Sequence, residues 1–285
     1  MVKVVQNGIL DCVINAINKR SGSNFMNQKT GMRWLREYLA PVLSGLLITV
    51  IFSGCASMQG GGKTAQEKED AEFTKPGMLM IFSEREAGSP KSFRTSMFVN
   101  KDYLYLADSR SRNDFVLLDR AKKIIYSLTN DDKTILVIDS HPVTIKPPIE
   151  IKYVEESQPS AAIPMVQGKQ AYHYRYFANG KRCYDSVTID PGFMPDVAEA
   201  MREFRTILAG EHAKSVGRIP TDMYDACDLA VNVFYPTRHI AHGIPLREWD
   251  QNGYQRFMLD FKLGFKLKKT LMNLPADYKR YSIPE

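Results

Sequence analysis

The chain has 285 residues, 44% hydrophobic and 25% charged, an ordinary balance for a protein with a buried core. Its formal charge is +6, from 38 Lys/Arg and 32 Asp/Glu. Six of the bases (Lys3, Lys19, Arg20, Lys29, Arg33, Arg36) and two of the acids (Asp11, Glu37) fall in residues 1–54, leaving 32 and 30 beyond. The basic excess thus belongs to the leader, and no basic stripe suited to phosphates follows it, so no nucleic-acid partner is expected.

Residues 38–54 (YLAPVLSGLLITVIFSG) hold no charge, and Arg33 and Arg36 stand just before them. A basic region, a short apolar run and then small residues describe a secretory signal. The run is shorter than the ~20 apolar residues a spanning helix needs, and Pro41 and Gly45 interrupt it. A signal of ordinary length begins at Met32, so residues 1–31 are expected to be an upstream extension and 32–54 the signal peptide.

The run ends in Ile51-Phe52-Ser53-Gly54-Cys55. This resembles the bacterial lipobox, with Phe52 where leucine is usual. The resemblance implies cleavage between Gly54 and Cys55 and acylation of Cys55. The chain would then face the periplasm, held to a membrane by lipid. Ala56 stands where an aspartate would signal inner-membrane retention, which favours the outer membrane. Two acyl chains suffice for stable attachment, since each buried CH₂ contributes about 0.8 kcal/mol.

Residues 55–76 read as a lipidated N-terminus and tether, small and polar from Ala56 to Ala71. Gly60-Gly61-Gly62-Lys63-Thr64 looks like a phosphate loop but lacks the earlier glycine, with Ser57 in its place, and the flanking strand and helix. No nucleotide and no other cofactor is expected.

Besides Cys12 and Cys55, the chain holds Cys183 and Cys227. In an oxidising compartment these two are expected to form a disulfide, two buried free thiols being the other arrangement. His239 and His242 have a spacing that serves zinc on a helix, but Pro236, Gly243 and Pro245 argue against a helix there, so no metal site is expected.

From residue 77 onward short strands predominate. Met78–Ser83, Phe93–Val99, Tyr103–Leu106, Phe115–Leu118, Ile124–Leu128 and Ile135–Ile138 are separated by Asn/Asp/Lys turns about ten residues apart, the pattern of an antiparallel meander. Strand character is expected to resume at Ile149–Val154. Ala171–Phe177 and Cys183–Ile189 flank Asn179-Gly180, a strong hairpin signal. Val197, Met201, Phe204 and Leu208 then recur at helical steps from Pro195, with Gly210 placed to end the helix. Leu229–Tyr235, Gly243–Trp249 and Tyr254–Phe261 read as the last strands.

The succession "FVLLDRAKKIIYSL", "KTILVID" and the closing "GIPLREWD", "RFMLDFK" and "LPADYKRYSI" resembles the periplasmic lipoproteins related to LolA, LolB and LppX, over residues 77–283. It implies a single β-rich domain over 77–285, of α+β class: an incomplete antiparallel half-barrel with a helix as lid. The cavity would hold a lipid or other hydrophobic ligand. The resemblance carries over no individual ligand-binding residue. A structural or interaction lipoprotein without a small ligand is the alternative reading, and an envelope enzyme ranks third.

Catalysis is not expected. No Gly-x-Ser-x-Gly elbow is present. Asp108, Asp114 and Asp119 fall at turns, where solvation is the usual task of a carboxylate. The alternating Tyr172, Tyr174, Tyr176 and Tyr184 fit either a ring-lined ligand surface or ordinary cross-strand pairs.

Overall fold

The computed structural model describes residues 65–283 apart from 112, 164, 167 and 219. Residues 1–64, with the expected signal peptide and its cleavage site at Gly54 and Cys55, lie outside the described residues.

The turns predicted from Asn, Asp and Lys connect a meander. Strands β1 (Gly77–Arg85), β2 (Ser92–Val99), β3 (Tyr103–Asp108), β4 (Phe115–Asp119), β5 (Ile124–Thr129) and β6 (Thr134–Asp139) pair in sequence, each antiparallel to the next. The second half comprises β7 (Tyr153–Pro159), β10 (Tyr172–Ala178), β11 (Lys181–Thr188), β12 (Pro245–Asp250) and β13 (Gln255–Phe265), and β13 pairs back onto β1. A short β14 (Lys279–Tyr281) runs parallel to β6. The order is β14-β6-β5-β4-β3-β2-β1-β13-β12-β11-β10-β7, one twelve-stranded sheet whose ends do not meet. A separate pair, β8 (Met165–Val166) with β9 (Lys169–Gln170), lies in the connection to β10. The class is α+β and mainly antiparallel.

At the β10–β11 turn Asn179 and Gly180 both take positive φ, 51° and 76°. That is the requirement of a type I′ turn, and it sets the register Ala178↔Lys181.

The predicted helix is α2 (Pro195–Ala213), following α1 (Ala65–Glu72). Its buried side includes Val197, Met201, Phe204 and Leu208, and burying each such side chain stabilises by about 1.5–3 kcal/mol. Gly210 does not end it. A Cβ there would stand 2.1 Å from the His141 carbonyl oxygen, so glycine allows a close crossing while the helix continues for three residues.

Three further sequence expectations require correction. Residues 65–72, expected within the tether, form α1, whose Glu69 and Glu72 pair with Lys266 and Lys268. The strand expected at 149–154 begins at Tyr153 and runs to Pro159, because it forms against β10 from Tyr153↔Ala178 onward. Leu229–Tyr235 is not a strand. The Asp225 side chain accepts from the Cys227 and Asp228 amides and starts α3 (Ala226–Leu229), which passes into a π turn closed by Tyr235 N–H to Ala230 O at 2.8 Å.

Two apolar layers result. On the inner face α2 packs against Met80, Phe82, Met97, Leu104, Leu118, Ile125 and Leu136. On the outer face, the closing segment brings Leu267, Met272, Leu274 and Tyr278 against Phe98, Tyr105, Phe115, Leu117 and Ile135.

Candidate functional site

The inner face changes character along each strand, and the change follows from alternation. Met78, Met80 and Phe82 share one face of β1, and Glu84 continues the same parity. Glu84 stands opposite Arg256 on β13, and Arg256 stands opposite Glu248 on β12. The line then runs on through Ser186 and Tyr174 to Ser157. The apolar layer therefore gives way to a row of polar side chains on the same face, buried from Glu84 to Ser186, half-buried at Tyr174 and exposed at Ser157.

Arg256 is only 2% exposed, and Glu84 and Glu248 are as deeply buried. Arg256 Nη1 donates to Glu248 Oε1 at 3.1 Å. Its Nε lies 3.5 Å from Glu84 Oε1, a charge contact without hydrogen-bond alignment. Burial opposes the guanidinium charge, but Glu248 and Glu84 outweigh it and hold Arg256 protonated. Burial pushes the Glu84 carboxyl up, against the pull of Arg256. The Tyr184 and Tyr254 hydroxyls are pushed well up by burial, with Glu248 and Glu84 respectively adding to it.

His239 completes this cluster from above, 5.2 Å from Tyr184 ring to ring. Burial drives its pKa well down, and the charges of Arg205 and Arg256 add to that. Arg205 Nε and Nη2 donate to the Pro236 and Val231 carbonyls at 3.4 Å, so α2 holds the 231–236 backbone over the cluster. The Tyr254 hydroxyl, Thr95 Oγ1 and Arg256 Nη2 are buried without a hydrogen-bond partner among the described residues. Buried polar atoms of that kind call for water or a ligand group.

Where the remaining sequence candidates fall is plain. Cys183 and Cys227 are bonded, with Cα atoms 5.1 Å apart, tying β11 to α3. His239 and His242 diverge: His242 Nε2 lies 2.5 Å from Glu155 Oε1 and its ring stacks on Tyr174 at 4.0 Å. No group of three or more His, Cys, Asp or Glu suited to a metal ion occurs among the described residues. Asp108 accepts from the Arg110 and Ser111 amides, Asp114 from that of Asn130 and Asp119 from that of Lys122, so all three shape turns. Tyr174, Tyr176 and Tyr184 form a ladder, with Tyr153 stacked on Tyr235 at 4.8 Å at one end. Tyr172 lies exposed at the start of β10.

Sequence reading missed the Glu84–Arg256–Glu248 row. The signal was present: each residue stands two positions from an inward apolar one, as Phe82, Met258 and Leu246 show.

No family model matches the sequence, and no curated protein does. Among solved structures the chain is similar to PNGF-II in a C2 crystal (8% identity, TM-score 0.35) and in a P21 crystal (10% identity, TM-score 0.35). Each match covers 73% of this chain and 31% or 32% of that one, so the chain spans about a third of the length of those proteins.

Proposed function

We propose that the protein is a lipid-anchored envelope protein that binds an acyl-chain ligand between α2 and the sheet, the sheet acting as a half-barrel and α2 as its lid. One observation carries this reading. Met78, Met80, Met97, Met194, Met201 and Met258 all belong to the layer between helix and sheet. Methionine is unbranched and polarisable, so a layer rich in it can repack around an inserted chain where branched side chains resist. The start of α2 suits movement as well: Met194 takes a left-handed φ of 53° with no side-chain cap. The polar row at the end of the layer gives the ligand a direction. An acyl tail would replace the methionines, and a neutral polar head would meet Arg256 Nη2 and the Tyr254 and Thr95 hydroxyls. The function is binding, not catalysis.

Titration with a fluorescent long-chain fatty alcohol tests the reading. Saturable binding is expected, weakened by Met97→Ile and Met201→Ile together at unchanged folding. Absence of saturable binding contradicts it.

The alternative, an interaction lipoprotein, draws support from β7. This strand ends the sheet with Val154 51% exposed, a free edge that an extended segment of a partner could extend. Crosslinking in cells from position 154 distinguishes the readings by trapping one dominant protein.

A further inference from the structure

The closing segment covers the outer face over β2 to β6, and what lies beside it has a different chemistry. Register places Arg94, Ser83, Phe257 and Arg247 in one line across β2, β1, β13 and β12. Arg94, Phe257 and Arg247 are exposed, Phe257 to 44%. Arg85 sits two residues along β1, opposite Gln255. Leu259, 46% exposed, is the unpaired residue of the β13 bulge opposite Ile81 and Phe82. With strands about 4.8 Å apart, Arg94 and Arg247 stand roughly 14 Å from each other, on either side of the aromatic ring.

Most other arginines in or next to the strands are paired, Arg280 on β14 excepted. Arg110 pairs with Asp108, Arg175 with Glu156, Arg182 with Asp185 and Arg256 with Glu248. Among the described residues no carboxylate pairs with Arg85, Arg94 or Arg247, and Arg247 instead lies 5.0 Å over the Trp249 ring. Three unneutralised guanidinium groups around exposed Phe257 and Leu259 form a surface that is cationic and apolar together. A soluble anion would satisfy the charges but leave the two apolar side chains in water. A bilayer with anionic headgroups meets both, phosphates taking the guanidinium groups and the acyl boundary taking the apolar side chains.

We infer that this outer face, centred on Phe257, rests on an anionic lipid surface. Anchor and tether agree with it. Nine residues lie between Cys55 and Ala65, a span of at most about 35 Å, so an acylated Cys55 would keep the domain close to a bilayer. That argument rests on the anchor reading; the charges and exposed apolar side chains do not.

The test uses the chain from residue 55 with Cys55→Ser, exported behind a leader that is removed without acylation, and vesicles of phosphatidylcholine with or without about one third phosphatidylglycerol. Co-sedimentation is expected with the anionic vesicles only and is expected to fall as salt rises from about 0.1 to about 0.5 M. Arg85→Gln, Arg94→Gln and Arg247→Gln together lower the partition coefficient roughly a hundredfold, and Arg94→Gln alone about fivefold. The single variant, at an exposed position, keeps the test open if the triple one fails to fold. Equal binding to neutral vesicles, binding unchanged in Arg94→Gln, or equally tight capture by soluble polyphosphate overturns the inference. Because the tested chain carries no acyl group, such failure leaves the anchor reading standing, and palmitate labelling of the native chain tests that separately.

Discussion

The guanidinium carbon of Arg256 sits 3.7 Å above the centre of the Phe82 ring, where the methionine-rich layer under α2 meets the buried charges of the inner face. The ring helps to desolvate the cation and also closes the apolar layer against it.

Removing that cation leaves two carboxylates facing each other without a counter-charge. Arg256→Met therefore destabilises by about 3–5 kcal/mol, measured by denaturant unfolding at neutral pH. The triple change to Leu at Glu84, Arg256 and Glu248 recovers most of the loss, since it removes the stranded charges as well. A cost below about 1 kcal/mol for the single change would show that water reaches the cluster freely.

His239 makes stability depend on pH. Its folded pKa lies well below the ordinary 6.5, so on acidification the unfolded chain takes up the proton first. Stability is complete above the unfolded value and falls as pH drops through it. Stability is therefore expected to fall between pH 7.5 and 5.5, and His239→Gln removes that part of the slope. Glu84 has the opposite sign: its folded pKa is raised, so its contribution is lost as pH rises from 4.5 upward. Equal slopes for the native protein and His239→Gln would contradict the assignment.

How much of this was legible depends on the length of chain each feature needs. The hairpin at Asn179-Gly180 was legible because two residues carry the whole conformational demand. The β1–β6 meander was legible from its turns, and α2 from the spacing of Val197, Met201, Phe204 and Leu208. Leu229–Tyr235 misled because its β-branched and aromatic residues favour a strand, while the Asp225 cap and the bond to Cys183 impose a helical turn. For the charge row, alternation made the inward placement of Glu84, Arg256 and Glu248 legible, but not their meeting. Glu84 and Arg256 are brought together by the pairing of β1 with β13, and nothing local announces that pairing.

The bond from Cys183 to Cys227 closes a loop of 44 residues. Changing both to Ser costs about 3–4 kcal/mol in the chain-entropy account, read from denaturant unfolding. Reductant is expected to destabilise the native protein and leave the double variant unaffected. A variant as stable as the native protein would show that α3 is held to β11 by packing alone.

Gly210→Ala sets two effects against each other. Helix propensity favours alanine by about 1 kcal/mol. The new Cβ, at 2.1 Å from the His141 carbonyl oxygen, forces α2 away from the segment after β6. The contact wins, and thermal unfolding is expected to show a net loss of about 1–3 kcal/mol. A stabilised variant would mean that α2 is looser at this end.

The central claim concerns what lies between α2 and the sheet. The direct measurement is native mass spectrometry of the Cys55→Ser chain, exported in its own host and purified without detergent. The account predicts a second species, heavier by the mass of one acyl-chain lipid and lost on extraction with organic solvent. A single species at the polypeptide mass, unchanged after incubation with lipid vesicles, would contradict it.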